Sequence, residues 1–89
     1  MKFTWDTVKA DANFQKHGVN FDEAATVFGD PLAGTFPDVD HSLTESRFMT
    51  VGVSVNGRLL VVAHAESFDV IRLISARPAT AHERKKYES

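Results

Sequence analysis

An 89-residue chain with 43% hydrophobic residues has the composition of one packed domain, which we assign to residues 1–89. Its formal net charge at pH 7 is −2, and it contains no cysteine, so disulfides, thiolate metal sites and cysteine nucleophiles are excluded. The first residues lack the apolar run of a signal peptide, and no segment approaches the ~20 apolar residues of a membrane span, so we expect a cytoplasmic protein.

A short edge strand at residues 1–3 and a helix over residues 4–18 are predicted first. Asp6 or Thr4 can cap the N-terminus of this helix, and Gly18 ends it because glycine adopts the left-handed conformation without a Cβ clash. Residues at helical spacing predict its apolar side: Trp5, Val8 and Ala12.

A second, shorter helix follows directly and is predicted to end at residues 29–31, where glycine, aspartate and proline follow one another. Asn20 is a favourable N-cap, and Glu23 stands three residues later. This spacing is typical of a capping box, in which each side chain binds the backbone amide of the other residue. The apolar side of the helix is formed by Phe21, Ala24, Ala25, Val27 and Phe28.

The middle of the chain predicts strands. Residues 32–36 form a weak candidate, and residues 47–55 alternate with period two. The alternation places four side chains on one face: Met49, Val51, Val53 and Val55. Asn56 and Gly57 predict a type I′ hairpin turn, which requires positive φ at both residues. The nearly continuous apolar run at residues 58–65 predicts a central strand that is covered on both faces.

The C-terminal part predicts a last strand at residues 70–76, a stop at Pro78 and a helix that ends near Tyr87. Thr80 and Glu83 have the spacing of a second capping box at the start of this helix. The predicted fold class is therefore α+β, with two N-terminal helices, an antiparallel meander sheet of three to four strands, and a C-terminal helix.

Positive charge is concentrated in residues 71–89. This segment contains five Lys or Arg and two Glu, hence +3, whereas residues 1–70 contain five bases and ten acids, hence −5. A basic end on an acidic chain indicates a local surface for anions such as phosphate groups. A solvated helix end that complements the helix dipole explains Lys85 and Lys86 equally well.

Three segments resemble the BrnT family of bacterial toxins: "KHGVNFDEAATVFGDP" at residues 16–31, "DHS…ESRF" in the middle, and "IRLISARPATAHERKKYE" from residue 71. The resemblance spans roughly residues 3–88. It implies a RelE-like fold and the ribonuclease half of a type II toxin–antitoxin pair, which cleaves RNA without a metal or other cofactor and inhibits translation. It also implies a ribbon-helix-helix antitoxin of the BrnA type, which forms a hetero-oligomer with the toxin and binds operator DNA.

Metal-free RNA cleavage needs a cation for the phosphate and groups that transfer protons, because the ribose 2′-hydroxyl attacks the adjacent phosphorus. Arg72 and Arg77 are candidates for the phosphate, since the guanidinium fork pairs with two oxygens and keeps its charge. The candidates for proton transfer are His17, Glu83 and Tyr87. The predicted RNA contacts are Lys16, Arg47, Arg84 and Lys85, although Arg47 at the head of a strand can equally be a strand-edge charge.

Each candidate also has an ordinary structural interpretation. Arg72 on a strand can face solvent or pair with Asp69, and His17 near a helix C-terminus is stabilised there when it is charged. Glu83 can be only the capping-box carboxylate, and Tyr87 can be a packing residue whose hydroxyl reaches water. The sequence does not separate these alternatives.

The polar loop at residues 37–45 contains several potential metal ligands: Asp38, Asp40, His41 and Glu45. Their spacing matches no calcium loop, so we predict a solvated loop and no metal site. The aromatic residues have helical or strand spacing that suits a core, which predicts no base-stacking platform. Two hypotheses remain besides the toxin: a module that binds RNA or an acidic partner segment without cleavage, and a metal-dependent hydrolase built on this loop.

Overall fold

The structure, a computed structural model, describes residues 1–39 and 46–89. The described elements are, in chain order, β1 (Lys2–Thr4), α1 (Thr7–His17), α2 (Phe21–Thr26), β2 (Gly34–Pro37), β3 (Arg47–Val53), β4 (Leu59–Ser67), β5 (Val70–Pro78) and α3 (Ala81–Glu88). A 3-10 turn, Val27–Gly29, extends α2. No helix in the described ranges is long and apolar enough to cross a membrane. The predicted α+β class and the order of elements are confirmed.

The strands form one mixed sheet in the order β1-β5-β4-β3-β2. Strands β2 to β5 run antiparallel to their neighbours, as predicted for a meander. Strand β1 instead pairs in parallel with residues 70–72 of β5, a contact that no local sequence pattern predicts. Strand β4 lies inside the sheet with residues 59–65 buried, which confirms the prediction for this apolar run.

The sheet has two different faces, called here the inner and the outer face. The inner face packs against α1 and α2 and holds the main core, formed by Val19, Phe21, Ala24, Val27, Leu60, Val62, Ile71, Leu73 and Ala76. The outer face carries a smaller cluster near α3, formed by Val51, Leu59 and Val61 with the partly buried Met49, Val53, Ala79 and Tyr87. A site on the outer face therefore lies between a well-packed sheet and one short helix.

The predicted apolar side of α1 is confirmed at Trp5, which packs against the main core, but it is wrong at the other two positions. Val8 is 75% exposed and Ala12 is exposed as well, whereas Asn13 is buried. The Asn13 side chain donates to the carbonyls of Val19 (3.0 Å) and Ala76 (2.9 Å), and it accepts from the Ala76 amide (3.0 Å). Because β1 is too short to reach this part of β5, the Asn13 amide takes the place of a neighbouring strand. These hydrogen bonds determine which side of α1 faces the sheet.

The predicted helix ends are confirmed at α1 and in part at α2. Asp6 caps α1 by accepting from the amides of the first turn, and Gly18 ends the helix with a φ of 69°. At α2, the Asn20 side chain accepts from the Glu23 amide at 2.7 Å, as a capping box requires. The Glu23 carboxylate, however, turns to other partners.

The capping box at α2 is therefore only half formed, because Glu23 has stronger long-range partners. Its carboxylate is buried and accepts from Arg58 Nε (2.9 Å) and Ser54 Oγ (2.7 Å). These hydrogen bonds, foremost the one from Arg58, lower the pKa of Glu23 to about 2. A charge-assisted bond to a guanidinium is roughly twice as strong as a neutral bond, so it prevails over the local backbone amide.

The hairpin between β3 and β4 differs from the predicted type I′ turn. The Ser54 amide donates to the Arg58 carbonyl (2.8 Å), so the ladder closes there and the loop contains three residues. Of Asn56 and Gly57, Gly57 alone has a positive φ (78°), which excludes a type I′ turn. Val55 consequently belongs to the loop and is exposed, although the alternation predicted it on the apolar face of β3.

Candidate active site

Helix α3 places two side chains over the outer face. Its predicted capping box is confirmed, since the Glu83 amide donates to Thr80 Oγ1 (3.2 Å) and the Thr80 amide donates to Glu83 Oε1 (2.9 Å). Glu83 and Tyr87 are four residues apart and both are half-buried, whereas Arg84 and Lys85 are exposed. The helix thereby turns one carboxylate and one phenol toward the strands.

Arg77 and Glu83 form a bidentate ion pair at the end of β5. Arg77 Nη1 and Nη2 donate to the two carboxylate oxygens of Glu83, both at 2.8 Å. The hydrogen bonds from Arg77, with a smaller contribution from the Thr80 amide, lower the pKa of Glu83 to about 2. The pair keeps Glu83 ionised at neutral pH and fixes the plane of the guanidinium group.

A β-bulge brings Arg72 to the same face as Arg77. Residues 75–78 and residues 70–73 of β5 pair with β4 in registers that differ by one position, which leaves Ile74 as the extra residue. In a regular strand, side chains five positions apart point to opposite faces. The bulge reverses this relation, so that both arginines lie on the outer face.

Arg47 joins the outer face from β3. The register places Arg47 and Arg72 on either side of Ala65, with backbones about 10 Å apart, which corresponds to two strand spacings. The next row of the sheet contains Met49 and the small residues Ala63 and Ser75. Arg47, Arg72 and Arg77 form a basic surface on the outer face, with small side chains between them. Such a surface is suited to successive phosphate groups of one strand.

Tyr87 anchors the C-terminal turn of α3. Its hydroxyl donates to Asp30 Oδ2 (2.5 Å), an oxygen that also accepts from the Val53 amide (2.8 Å). The bond from Tyr87 is the main cause of the lowered pKa of Asp30, and the same bond raises the pKa of Tyr87. Because its proton is held by a carboxylate, Tyr87 is suited to positioning the helix rather than to accepting a proton.

A groove of about 390 Å³ opens between α3 and the outer face. Apolar side chains line its strand side, among them Phe36, Met49, Val51 and Val61. Its helix side consists of His82, Glu83, Lys86 and Tyr87. Since Glu83 also binds Arg77, the groove is continuous with the ion pair.

The sequence prediction missed most residues of this groove. Phe36 is 48% exposed on the edge strand β2, although its strand spacing suited a core. Phe14 and Phe68 are exposed as well, so the assignment of the phenylalanines to the core is wrong for these three. His82 and Lys86 are four positions apart, and this helical spacing was the available signal that they share one side of α3.

The remaining predicted site residues lie elsewhere. His17 and Lys16 are in the last turn of α1, which packs against β5 in the helical layer on the inner face, whereas Arg77 lies on the outer face. Arg84 and Lys85 lie on the exposed side of α3, with Arg84 4.0 Å from Glu88. The catalytic and RNA-binding roles of these four residues stay predictions.

The acidic loop considered as a metal site lies mostly outside the described residues, which include Asp38 but not Asp40, His41 or Glu45. Within residues 1–39 and 46–89, no group of three or more His, Asp or Glu side chains is placed to hold a metal ion. The metal-dependent hydrolase built on this loop therefore stays a hypothesis.

Comparisons with known proteins agree with this architecture. The family model described as "Ribonuclease toxin, BrnT, of type II toxin-antitoxin system" matches residues 5–83. The structure is similar to the crystal structure of the Brucella abortus ribonuclease toxin BrnT, with a TM-score of 0.70 and 25% sequence identity, and the match covers 90% of this chain and 97% of that chain. No curated protein sequence matches the chain significantly.

Proposed function

Because this chain belongs to the BrnT family of ribonuclease toxins of type II toxin–antitoxin systems, we propose that it cleaves RNA on the outer face of its sheet without a bound metal. Family membership gives the chain an RNA substrate and a cognate antitoxin. The observation that carries the proposed location is the bulge at Ile74, which puts Arg72 and Arg77 on the face beside α3.

In the proposed reaction the ribose 2′-oxygen attacks the adjacent phosphorus, the bond to the 5′-oxygen breaks, and a cyclic phosphate and a 5′-hydroxyl result. Negative charge grows on the non-bridging phosphate oxygens, and Arg72 and Arg77 stabilise it. Their guanidinium groups stay charged at physiological pH, so this task needs no metal ion. Arg47 binds a neighbouring phosphate about 10 Å across the sheet and orients the RNA strand.

Glu83 acts in this scheme only after the substrate has entered. While both of its oxygens accept hydrogen bonds from Arg77, the lowered pKa makes Glu83 a weak base. A phosphate that takes over one arm of the Arg77 fork removes part of this stabilisation and raises the pKa of Glu83. The carboxylate then accepts the proton of the 2′-hydroxyl group.

His82 is the proposed proton donor to the leaving 5′-oxygen. It lines the groove and directly precedes Glu83 in the chain. Histidine both gives and takes protons near neutral pH, which suits this task. His17, in the α1 layer, has no part in the scheme, and Tyr87 serves as a positioning residue through its bond to Asp30.

For the partner, we propose a ribbon-helix-helix antitoxin that covers the outer face and binds operator DNA in a hetero-oligomer with the toxin. The support is the family resemblance together with charge: the arginines that bind phosphate also suit an acidic antitoxin segment. Such a segment inhibits the toxin by competing with RNA for Arg72 and Arg77. Free toxin, in turn, cleaves RNA in the cytoplasm and stops translation.

A module that binds RNA without cleaving it is the second candidate, and the closed Arg77–Glu83 pair favours it. In this state the guanidinium fork is occupied and the carboxylate is a weak base, as expected of a surface that only binds. The ribonuclease and the binding module differ in whether a phosphate separates Arg77 from Glu83. A cleavage assay distinguishes them.

The assay uses purified toxin, freed of antitoxin, on total RNA in excess EDTA. We expect wild-type protein to produce fragments with cyclic phosphate ends. Arg77→Ala should lower the rate by about 100-fold or more, the effect of removing one preorganised donor from a developing charge. Lys9→Ala, which changes an exposed base on α1, is the matched control and should cleave at the wild-type rate. Circular dichroism verifies that both variants fold.

Three results would contradict the scheme. Cleavage that EDTA abolishes and magnesium restores refutes the metal-free mechanism. A folded Arg77→Ala variant with full activity refutes the assignment of the site. Intact RNA with wild-type toxin, together with RNA binding that Arg77→Ala weakens, identifies the non-catalytic module instead.

A further inference from the structure

The groove between α3 and the outer face is larger than phosphate chemistry requires. Its volume of about 390 Å³ falls in the range of pockets that bind small ligands, about 300–1,000 Å³. Its strand side is apolar, with Phe36, Met49, Val51 and Val61. An apolar wall does not suit a charged phosphate, but it suits the flat face of a nucleobase.

We propose that this groove binds one nucleobase of the RNA substrate, stacked on Phe36 and next to the phosphate held by Arg77. The inference rests on the RNA cleavage proposed above and adds the part of the substrate that the toxin recognises. Glu83 lines the groove and also binds Arg77, so the base subsite and the phosphate subsite share a wall.

Phe36 is placed for stacking. It lies on the edge strand β2, opposite Met49 on the outer face, and it is 48% exposed. Aromatic side chains on a sheet surface stack with unpaired bases of single-stranded RNA. Met49 beside it is a flexible thioether that packs against aromatic rings of different shapes. The two side chains therefore form a platform that accepts more than one kind of base.

Gly34 leaves the space above this platform open. It pairs with Val51 and lines the groove. A Cβ at Gly34 would meet none of the described atoms within 4 Å, and its φ lies outside the left-handed region. The fold therefore tolerates a larger side chain at this position, but such a side chain would occupy the groove.

The helix side supplies polar groups for the edge of the base. His82 and Lys86 line the groove from successive turns of α3. Their nitrogen atoms can donate hydrogen bonds to base acceptors, and the charge of Lys86 attracts the adjacent phosphate. The size of the groove and its polar helix side favour one nucleotide over a protein helix, which is about 10 Å wide with its side chains.

The test is a titration of the purified toxin with the four ribonucleoside 3′-monophosphates, followed by the NMR signals of the groove methyl groups on Met49, Val51 and Val61. Ribose 5-phosphate, which has no base, is the control ligand. We expect the nucleotides, but not ribose phosphate, to shift these signals saturably. Phe36→Ala and Gly34→Leu should each weaken nucleotide binding about 5-fold or more. Phe14→Ala, which removes an equally exposed ring (49%) from α1, should leave it unchanged.

Shifts that ribose 5-phosphate reproduces, or no saturable shifts with any nucleotide at millimolar concentration, overturn the base subsite and leave the groove to a protein segment. Phe36→Ala and Gly34→Leu variants that bind nucleotides as tightly as the wild-type protein overturn it as well. The proposed function is tested separately by the RNA cleavage assay, in which intact RNA would refute it. Nucleotide binding with intact RNA would support the base subsite and refute cleavage. RNA cleavage without methyl shifts would support the proposed function and refute the base subsite.

Discussion

Asn13→Ala removes the buried amide that replaces a strand neighbour of β5, and we expect the free energy of unfolding to fall by about 2–4 kcal/mol. The side chain makes three hydrogen bonds, one with Val19 and two with the backbone of Ala76. At a net ~1 kcal/mol each they contribute about 3 kcal/mol, and leaving the buried groups of Ala76 unpaired adds to the loss. The higher helix propensity of alanine returns roughly 0.6 kcal/mol.

Urea unfolding followed by circular dichroism measures this change, since a domain of 89 residues has a total stability of about 4–13 kcal/mol. Gln15→Ala is the matched control on the exposed side of α1 and should change the stability by less than about 0.5 kcal/mol. Asn13→Leu keeps the number and branching of the side-chain heavy atoms without the hydrogen bonds, so it should destabilise the protein about as much as Asn13→Ala.

The reasoning is refuted if Asn13→Ala lowers the free energy of unfolding by less than about 1 kcal/mol, because the loss of three buried hydrogen bonds between a side chain and the backbone should have a larger effect. A second contradictory result is a stable Asn13→Leu beside an unstable Asn13→Ala. That pattern would mean that Asn13 fills space and that the hydrogen bonds to β5 contribute little.

Acid should destabilise the protein through Glu23 and Glu83. Their folded pKa values of about 2 lie below the ordinary 4.5, so the stability that they contribute is present above about pH 4.5 and is lost as the pH falls toward 2. Urea unfolding at stepwise pH measures this loss, which Glu23→Gln should reduce; an unchanged pH dependence would contradict it. Gly52→Ala should cost about 1–3 kcal/mol, because its Cβ would lie 2.9 Å from two side chains, whereas Gly29→Ala meets open space and should be neutral in the same assay. Tyr87→Phe should loosen α3, seen as faster amide exchange in that helix and slower RNA cleavage; unchanged exchange would exclude an anchoring role.

The helices and most strands were predictable because they depend on neighbours in the chain. Asp6 and Thr80 cap their helices with side chains that reach two or three residues ahead, and Gly18 ends α1 in the left-handed conformation. The hairpin turn at Asn56 was predicted wrongly for the opposite reason. Its loop length depends on where the β3–β4 ladder closes, and Ser54 closes it while bound to a carboxylate of α2.

Some members of the candidate site were expected from the sequence, but their arrangement was not. Arg77 and Glu83 were both expected at the C-terminal end, yet nothing in the sequence showed that they pair with each other. Period-two alternation puts Arg72 and Arg77 on opposite faces, and the bulge in β5 reverses that relation. Phe36 and His82 line the same groove only because the fold places α3 and β2 on the same face of the sheet.

The sequence by itself determined the elements, their order, most of their ends and the basic C-terminal segment, because each depends on composition or on residues a few positions apart. The tertiary structure alone decided the partner of Glu23, the orientation of α1 and the outer-face site. These depend on contacts between distant residues, such as the 35 positions between Glu23 and Arg58 or the 63 between Asn13 and Ala76. A buried or charged hydrogen bond is worth about 1–3 kcal/mol, more than the few tenths that separate local propensities, so the distant contact prevails where the two conflict.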